Sequence, residues 1–118
     1  MSNKKILICD DDQGILDMLN FILKDEYVVI SEPNSLNVSS IIEKQEPDLI
    51  LLDLWMPVLS GDLVLKSVRK NQKTKNLPVI IMSASTDGEK IANASGADDY
   101  IAKPFDIDTL INRIQKLI

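Results

Sequence analysis

Histidine is absent from this sequence of 118 residues, and cysteine occurs once, as Cys9. The lack of histidine excludes imidazole metal ligands, Ser-His and Cys-His nucleophile pairs, and a phosphohistidine carried by this chain. The lone cysteine excludes an internal disulfide, and its place in the apolar run Ile6–Cys9 favours a buried core thiol. Any chemistry must therefore use carboxylates, hydroxyls and lysine, and we expect a reducing, cytoplasmic location.

The sequence also has no excess of basic residues and no long apolar run. Thirteen Lys and Arg residues against eighteen Asp and Glu residues leave a net charge of −5. No positive field therefore draws the chain to nucleic acid or to an anionic membrane. No apolar run approaches the length that spans a bilayer, and the first residues lack the apolar core of a signal peptide. We therefore expect no direct nucleic-acid partner and no membrane insertion.

Five short apolar runs alternate with segments long enough to form helices. The runs are Ile6–Cys9, Tyr27–Ile30, Leu49–Leu52, Val79–Met82 and Tyr100–Ala102. Consecutive apolar residues suit strands covered on both faces, as in a parallel sheet between two helix layers. The pattern predicts an α/β fold with one doubly wound, five-stranded parallel sheet. The length, the 45% apolar content and the lack of a linker predict one domain over residues 1–118.

The helix predictions rest on apolar spacing and on capping residues. Asp12 and Asp106 are candidate N-caps for the first and last helices. The third and fourth helices are predicted over Gly61–Lys70 and Gly88–Ser95, and the sparse apolar content of the fourth predicts the least firm packing. The apolar positions predicted to be buried are Ile15, Met18, Leu19 and Ile22 in the first helix, Leu36, Val38, Ile41 and Ile42 in the second, Leu65 and Val68 in the third, and Ile107, Leu110, Ile111, Ile114, Leu117 and Ile118 in the last.

Polar residues follow four of the five apolar runs. They are Asp10, Asp11 and Asp12 after the first, Asp53 after the third, Ser83 after the fourth and Lys103 after the fifth. Ligands of open parallel sheets bind beyond the carboxyl ends of the strands, so we expect these side chains to meet. Crowded carboxylates favour a hard cation such as Mg²⁺, and Lys103 adds an ammonium group. Phosphoryl transfer to an aspartate requires this set of a carboxylate nucleophile, a metal, a hydroxyl and an ammonium.

The whole chain resembles the receiver domains of two-component response regulators. Four motifs carry the resemblance, in matching order and spacing: Ile6–Asp12, Asp48–Asp53 followed by Met56-Pro57 and Gly61, Pro78–Ala84, and Gly96–Phe105. The resemblance implies a flavodoxin-like (βα)5 fold with strand order 2-1-3-4-5. It also implies a signalling switch of a phosphorelay, whose own chemistry is limited to self-phosphorylation and autodephosphorylation at Asp53.

The resemblance further implies a role for Asp53, Asp11 and Asp10. Asp53 would accept a phosphoryl group from a histidine of a partner kinase. Asp11 and Asp53 would ligate Mg²⁺ together with the backbone carbonyl of Trp55, and Asp10 would act mainly through a water molecule on the metal. The side chains of Trp55 and Ser85 would influence dephosphorylation by shaping the access of water.

Signalling is implied to depend on a hydroxyl, a lysine and an aromatic ring. Ser83 and Lys103 would contact phosphoryl oxygens, and the Lys103–Pro104 peptide bond would be cis. Tyr100 would turn inward as Ser83 moves towards the phosphoryl group. The face formed by the fourth helix, fifth strand and fifth helix would then change its affinity for a partner. The interval from Ser83 to Lys103 is about two residues shorter than is typical, which leaves the mode of dimerisation or target binding open.

The implied partners are proteins. A sensor histidine kinase or a histidine phosphotransfer protein would donate the phosphoryl group, and a downstream protein target or an output domain outside this chain would read the state. Homodimer formation stays open. The start Met1-Ser2-Asn3 indicates a genuine N-terminus, whereas the C-terminus fits either a complete single-domain regulator or an excised receiver.

Three alternative functions compete with this interpretation. A Mg²⁺-dependent aspartyl-phosphate hydrolase of the haloacid dehalogenase type would need a general acid two residues after the nucleophile, where this chain has Trp55. A flavodoxin-like nucleotide or flavin binder would need a phosphate cradle after the first strand, where three aspartates repel phosphate. A receiver-like module that signals without phosphorylation would be expected to lack an acid, the hydroxyl or the lysine, and all of these are present.

Overall fold

The computed structural model describes residues 3–118 as one parallel sheet between two helix layers. The strands are β1 (Lys5–Cys9), β2 (Val28–Glu32), β3 (Leu49–Asp53), β4 (Val79–Ser83) and β5 (Asp99–Ala102). The helices are α1 (Gln13–Leu23), α2 (Val38–Gln45), α3 (Gly61–Lys70), α4 (Gly88–Ser95) and α5 (Ile107–Leu117), with a 3-10 turn at Ser35–Asn37. The strand order β2-β1-β3-β4-β5 confirms the predicted doubly wound α/β fold. Met1 and Ser2, on which the predicted N-terminus rests, lie outside the described residues.

The core has two layers because successive side chains of a strand point to opposite faces of the sheet. Leu7 and Cys9 of β1 pack on the side of α2, α3 and α4, whereas Ile6 and Ile8 pack on the side of α1 and α5. The strands β1, β3 and β4 occupy the centre of the sheet, and their apolar side chains are fully buried. This burial accounts for the unbroken apolar runs in the sequence.

The lone thiol lies in this core, as predicted. Cys9 is buried and unpaired, and its Sγ atom is 3.7 Å from Sδ of Met56. Burial, followed by the charge of Glu32 and the nearby aspartates, raises the pKa of the Cys9 thiol to about 12. The thiol therefore stays protonated and acts as a small core residue.

The helix predictions were correct in position but partly wrong in which residues are buried. The bounds of α3 and α4 match, and Asp12 caps α1 by accepting from the amides of Gly14 and Ile15. The buried stripe of α1 consists of Leu16, Leu19 and Leu23. Three residues that we predicted as buried, Met18, Leu36 and Ile107, are exposed.

Each of these errors has a local cause. The sheet meets α1 on the side of Leu16, which leaves Met18 at the edge of the contact. Leu36 lies in the 3-10 turn that Asn34 caps, ahead of α2. Ile107 begins α5 ahead of the buried Leu110 and Ile114. Asp106 occupies the N-cap position, but its carboxylate accepts from the Thr109 hydroxyl and makes no cap hydrogen bond to the backbone.

Helix length also bears on the membrane prediction. The longest helices, α1 and α5, have 11 residues each. Within residues 3–118, no helix combines the length and the apolar character that crossing a bilayer requires.

Candidate functional site

Three carboxylates meet at the carboxyl ends of β1 and β3. These strands pair in parallel with Cys9 opposite Leu52, which places Asp10 beside Asp53 one position further along. One carboxylate oxygen from each of Asp10, Asp11 and Asp53 lies within 4.8 Å of the other two. Asp10 is fully buried and Asp53 is 6% exposed, whereas Asp11 faces solvent. The cluster therefore has a buried wall and one open side.

Lys103 supplies the positive charge on the buried side of the cluster. Its Nζ atom donates to Oδ2 of Asp10 at 2.7 Å and to Oδ1 of Asp53 at 3.1 Å. Its backbone N–H donates to the carbonyl of Ser83 at 2.9 Å, which fixes the lysine at the end of β5. The Lys103–Pro104 bond is cis, as expected. One ammonium thus faces two buried carboxylates.

The ionisation of Asp53 and Lys103 reflects this imbalance of charge. Desolvation, followed by the negative charge of Asp10, raises the pKa of Asp53 to about 6 despite the hydrogen bond from Lys103. Burial alone would lower the pKa of Lys103, but its hydrogen bonds to Asp10 and Asp53 outweigh this effect and raise it. A further cation near Asp53 would therefore stabilise the ionised site.

Asp12, the third of the consecutive aspartates, has a structural role. The backbone N–H of Asp12 donates to Oδ1 of Asp10 at 2.9 Å, which orients the buried carboxylate. The carboxylate of Asp12 accepts from the amide of Gly14 at 2.9 Å and so belongs to the helix cap. Of the three consecutive aspartates, Asp10 and Asp11 face the cluster and Asp12 holds the start of α1.

Ser83 and Tyr100 are connected at the end of β4. Ser83 is buried, and its Oγ atom accepts from the N–H of Ser85 at 3.0 Å. The Tyr100 hydroxyl donates to the carbonyl of Ser83 at 3.0 Å and lies 3.5 Å from the carbonyl of Ser85. The Tyr100 ring packs against the core on the side of α3 and α4. The structure therefore places Tyr100 in an inward position, tied to the segment that presents Ser83.

Trp55 lies in the loop between β3 and α3, two residues after Asp53. The residue is 51% exposed, so the indole is not part of the core. The neighbouring Leu54 is fully buried, and its N–H donates to the carbonyl of Met82 at 3.0 Å. The loop is thus anchored on one side of Trp55 while the indole remains accessible.

Gly61 is a site residue whose physical role the sequence did not reveal. It begins α3, and its N–H donates to the carbonyl of Leu54 at 2.7 Å. A Cβ atom at this position would lie 2.1 Å from the backbone oxygen of Asp53. The absence of a side chain at residue 61 therefore lets α3 pack against the backbone of the central aspartate. A glycine that opens a helix is the only sequence signal of this contact.

We predict that Gly61→Ala destabilises the fold by about 2–3 kcal/mol, because the clash involves backbone that cannot rotate away. Urea unfolding measures the loss. The matched control is Gly14→Ala, where the added Cβ would meet only the tip of the Asp12 side chain at 3.1 Å. Equal stability of the two variants would contradict the proposed packing.

The cluster fits a magnesium ion by its donor set. All candidate ligands are oxygen atoms, which Mg²⁺ prefers, and one of the three carboxylates is open to solvent. The excess of carboxylate over ammonium supplies the attraction for a divalent cation. Asp11 is the solvent-exposed member of this set, and one oxygen of Asp53 accepts from Lys103. Both oxygens of the buried Asp10 accept hydrogen bonds, from Lys103 and Asp12.

The sequence is similar to a known protein family and to individual proteins of known name. A family model described as the response regulator receiver domain matches residues 6–115. The chain is 38% identical over 121 residues to Sporulation initiation phosphotransferase F of Bacillus subtilis, covering 100% of this chain and 96% of that protein. It is 34% identical over 117 residues to the DNA-binding dual master transcriptional regulator RpaA of Synechocystis, covering 97% of this chain. The chain spans 48% of the length of RpaA.

Solved structures agree with the sequence comparison. The receiver domain of the Francisella response regulator 1452 superposes with a TM-score of 0.87 at 36% identity, covering 98% of this chain and 96% of that chain. The chemotaxis protein CheY4 of Vibrio cholerae superposes with a TM-score of 0.90 at 28% identity, covering 99% of this chain and 100% of that chain. Both similarities extend over almost the whole chain.

Proposed function

Because this chain belongs to the response regulator receiver domain family, we propose that it is a phosphorylation-dependent switch in which Asp53 accepts a phosphoryl group from a partner histidine. Members of this family are signalling switches of two-component systems and not classical enzymes. The observation that supports this proposal best is the position of Asp53. Its nearly buried carboxylate contacts Lys103 and lies beside the carboxylates of Asp10 and Asp11. Residues 1–118 act in this proposal as one receiver domain.

Transfer to Asp53 is a displacement at phosphorus. An oxygen of the Asp53 carboxylate attacks the phosphorus of a phosphohistidine, a P–O bond forms, and the P–N bond breaks with its electron pair leaving on the imidazole nitrogen. The product is an acyl phosphate on this chain. Histidine is absent from the sequence, so the donor must be another protein or a small phosphoryl compound.

Lys103 and Ser83 are proposed to hold the transferred group. The Lys103 ammonium already contacts Oδ1 of Asp53, which places it beside the oxygen atoms that gain negative charge. The Ser83 hydroxyl has one proton to donate, and its acceptor function is already used by Ser85. Ser83 can therefore donate to a phosphoryl oxygen without losing its contact with Ser85.

A magnesium ion is part of the proposed site. It would be held by Asp11, Asp53 and the backbone carbonyl of Trp55, with Asp10 in support, and when bound it would neutralise charge on the transferring group. The side chains of this chain do the remaining work. The backbone N–H of Asp12 orients the Asp10 carboxylate. The Lys103 ammonium contacts both buried carboxylates, Asp10 and Asp53, and so reduces the repulsion between them.

The metal site is tested by fluorescence, because Trp55 is the only tryptophan and lies two residues from Asp53. We predict that Mg²⁺ changes the Trp55 emission in the parent chain and in Asp12→Asn. The change is lost in Asp11→Asn, because that variant removes a ligand whereas the Asp12 carboxylate only caps α1. An Asp11→Asn protein that responds to Mg²⁺ like the parent would contradict this ligand assignment.

The proposed function predicts phosphorylation that depends on the metal. Incubation with a small acyl-phosphate donor and Mg²⁺ should add one phosphoryl mass to the intact protein, and a chelator should prevent the gain. Equal gain with the metal and with the chelator would contradict the proposal. A gain of more than one phosphoryl mass would contradict a single acceptor.

The signal is proposed to leave through the end of β4. Ser83 contacts the phosphoryl group, and its backbone carbonyl accepts from Tyr100, so a displacement of Ser83 is transmitted to the face of α4, β5 and α5. The partners that we propose are a sensor histidine kinase or a histidine phosphotransfer protein on the input side. On the output side we propose a protein target or an output domain. The buried free thiol of Cys9 agrees with the cytoplasmic location that we infer for such a system.

We predict that Trp55→Ala shortens the lifetime of phosphorylated Asp53 severalfold. The half-exposed indole lies two residues after Asp53, and we expect its removal to open the acyl phosphate to water. The decay is followed by intact mass after the donor is removed. Phe21→Ala, which removes an exposed aromatic ring on α1, is the matched control and should decay like the parent. A Trp55→Ala decay rate equal to that of Phe21→Ala would contradict the prediction.

A further inference from the structure

Gly88 lies where a side chain would collide with Tyr100. It is buried and is the first residue of α4. A Cβ atom on Gly88 would be 2.8 Å from the Tyr100 hydroxyl and 3.0 Å from Cε1 of its ring. It would also be 3.0 Å from Cβ of Ser83. Non-bonded carbon atoms come no closer than about 3.5 Å without repulsion, so the inward ring of Tyr100 occupies space that an alanine would need.

The inward position of Tyr100 has few other supports. Its hydroxyl donates to the Ser83 carbonyl at 3.0 Å and lies 3.5 Å from the Ser85 carbonyl, and its ring is only partly buried at the edge of the core. The Cβ atom of Ser83 is attached directly to the backbone of the buried strand β4, so no side-chain rotation moves it away from residue 88. Of the groups around the added Cβ, the Tyr100 side chain alone can rotate away, towards solvent.

We infer that Gly88 is a positioning residue of the switch, because the absence of a side chain at residue 88 leaves the room that the inward ring of Tyr100 occupies. This inference rests on the proposed function for its biological meaning. It assigns the inward position of Tyr100 to the first residue of α4.

The position of the ring can be measured directly in Gly88→Ala. The chain contains two tyrosines, Tyr27 and Tyr100. Fluorotyrosine labelling in a Tyr27→Phe background leaves one fluorine resonance, and its shift between water and heavy water reports exposure of Tyr100. We expect a small solvent shift in the parent and a larger one in Gly88→Ala. Gly14→Ala, on the exposed start of α1, should match the parent.

A double-mutant cycle identifies Tyr100 as the group that the new Cβ meets. Gly→Ala in a helix ordinarily stabilises the fold because it reduces the freedom of the unfolded chain. Here we expect Gly88→Ala to lower the folding equilibrium constant by roughly fivefold or more in the parent. In a Tyr100→Ala background, Gly88→Ala should lower the folding equilibrium constant by less than about twofold, or should raise it, because the ring is no longer there to collide with the new Cβ atom.

Two results would overturn the inference. One is a Gly88→Ala protein in which Tyr100 keeps the solvent shift of the parent. The other is an equal effect of Gly88→Ala with and without the Tyr100 ring, which would assign the clash to Ser83 alone. Both measurements use unphosphorylated protein, so either failure leaves the proposed phosphorylation of Asp53 standing. Conversely, a parent chain that takes no phosphoryl group would remove the proposed function without changing these results.

Discussion

Replacing Lys103 by methionine is expected to destabilise the metal-free protein by about 2–4 kcal/mol and to slow phosphorylation at least about 100-fold. The substitution removes the ammonium group that contacts both the fully buried Asp10 and the nearly buried Asp53. Methionine retains most of the apolar stem, so the loss reports charge and not volume. Urea unfolding in the presence of a chelator measures the first effect, and intact mass with a small acyl-phosphate donor measures the second.

Lys116→Met is the control for the loss of a lysine. Lys116 is exposed near the end of α5, and its replacement should change neither quantity appreciably. Added Mg²⁺ should restore part of the stability of Lys103→Met, because a divalent cation replaces the missing positive charge. A Lys103→Met protein as stable as Lys116→Met, phosphorylated at the parent rate, would refute the role of the lysine.

Asp53→Asn is expected to stabilise the metal-free protein at neutral pH by about 1–3 kcal/mol. Asparagine keeps the shape of the side chain and removes one of the crowded negative charges, while Lys103 retains Asp10 as its partner. Unfolding in the presence of a chelator measures the gain. Asp48→Asn is the matched control, since Asp48 only accepts from the Lys5 amide at the other end of β3, and its loss should be neutral or slightly destabilising.

The gain in Asp53→Asn should also depend on pH. The pKa of Asp53 in the folded chain is raised to about 6 by desolvation and by Asp10, whereas the unfolded value is 3.8. Protonated Asp53 therefore contributes stability that is fully present below 3.8 and is lost as the pH rises through about 6. The difference between Asp53→Asn and the parent should vanish near the lower value. A gain that is independent of pH would show that charge is not its cause.

The sequence was informative about the sheet and the site because both depend on strong local patterns. Unbroken apolar runs marked the central strands, and polar residues directly after them marked the carboxyl ends of β1, β3 and β4, where Asp10, Asp53 and Ser83 lie. Parallel pairing brings such ends together without any further information. Gly61–Lys70 and Gly88–Ser95 were correct as helices because glycine and polar residues bound both segments.

Contacts across the fold could not be predicted in the same way. The exposure of Met18 and Leu36 depends on how α1 and the 3-10 turn meet the sheet, which spacing along one helix does not determine. The clash that a Cβ atom would cause at Gly61 or Gly88 depends on distances between segments far apart in sequence. A glycine at the start of a helix has no sequence signature that separates a tight contact from an ordinary turn.

The most direct test of the account is the intact mass of three proteins after incubation with a small acyl-phosphate donor and Mg²⁺. The parent chain and Asp48→Asn should each gain one phosphoryl mass, and Asp53→Asn should gain none while remaining folded. An Asp53→Asn protein that gains the same mass would contradict the assignment of Asp53 as the acceptor. A parent chain that binds Mg²⁺ and stays unmodified by the donor and by a phosphorylated kinase would contradict the proposed switch.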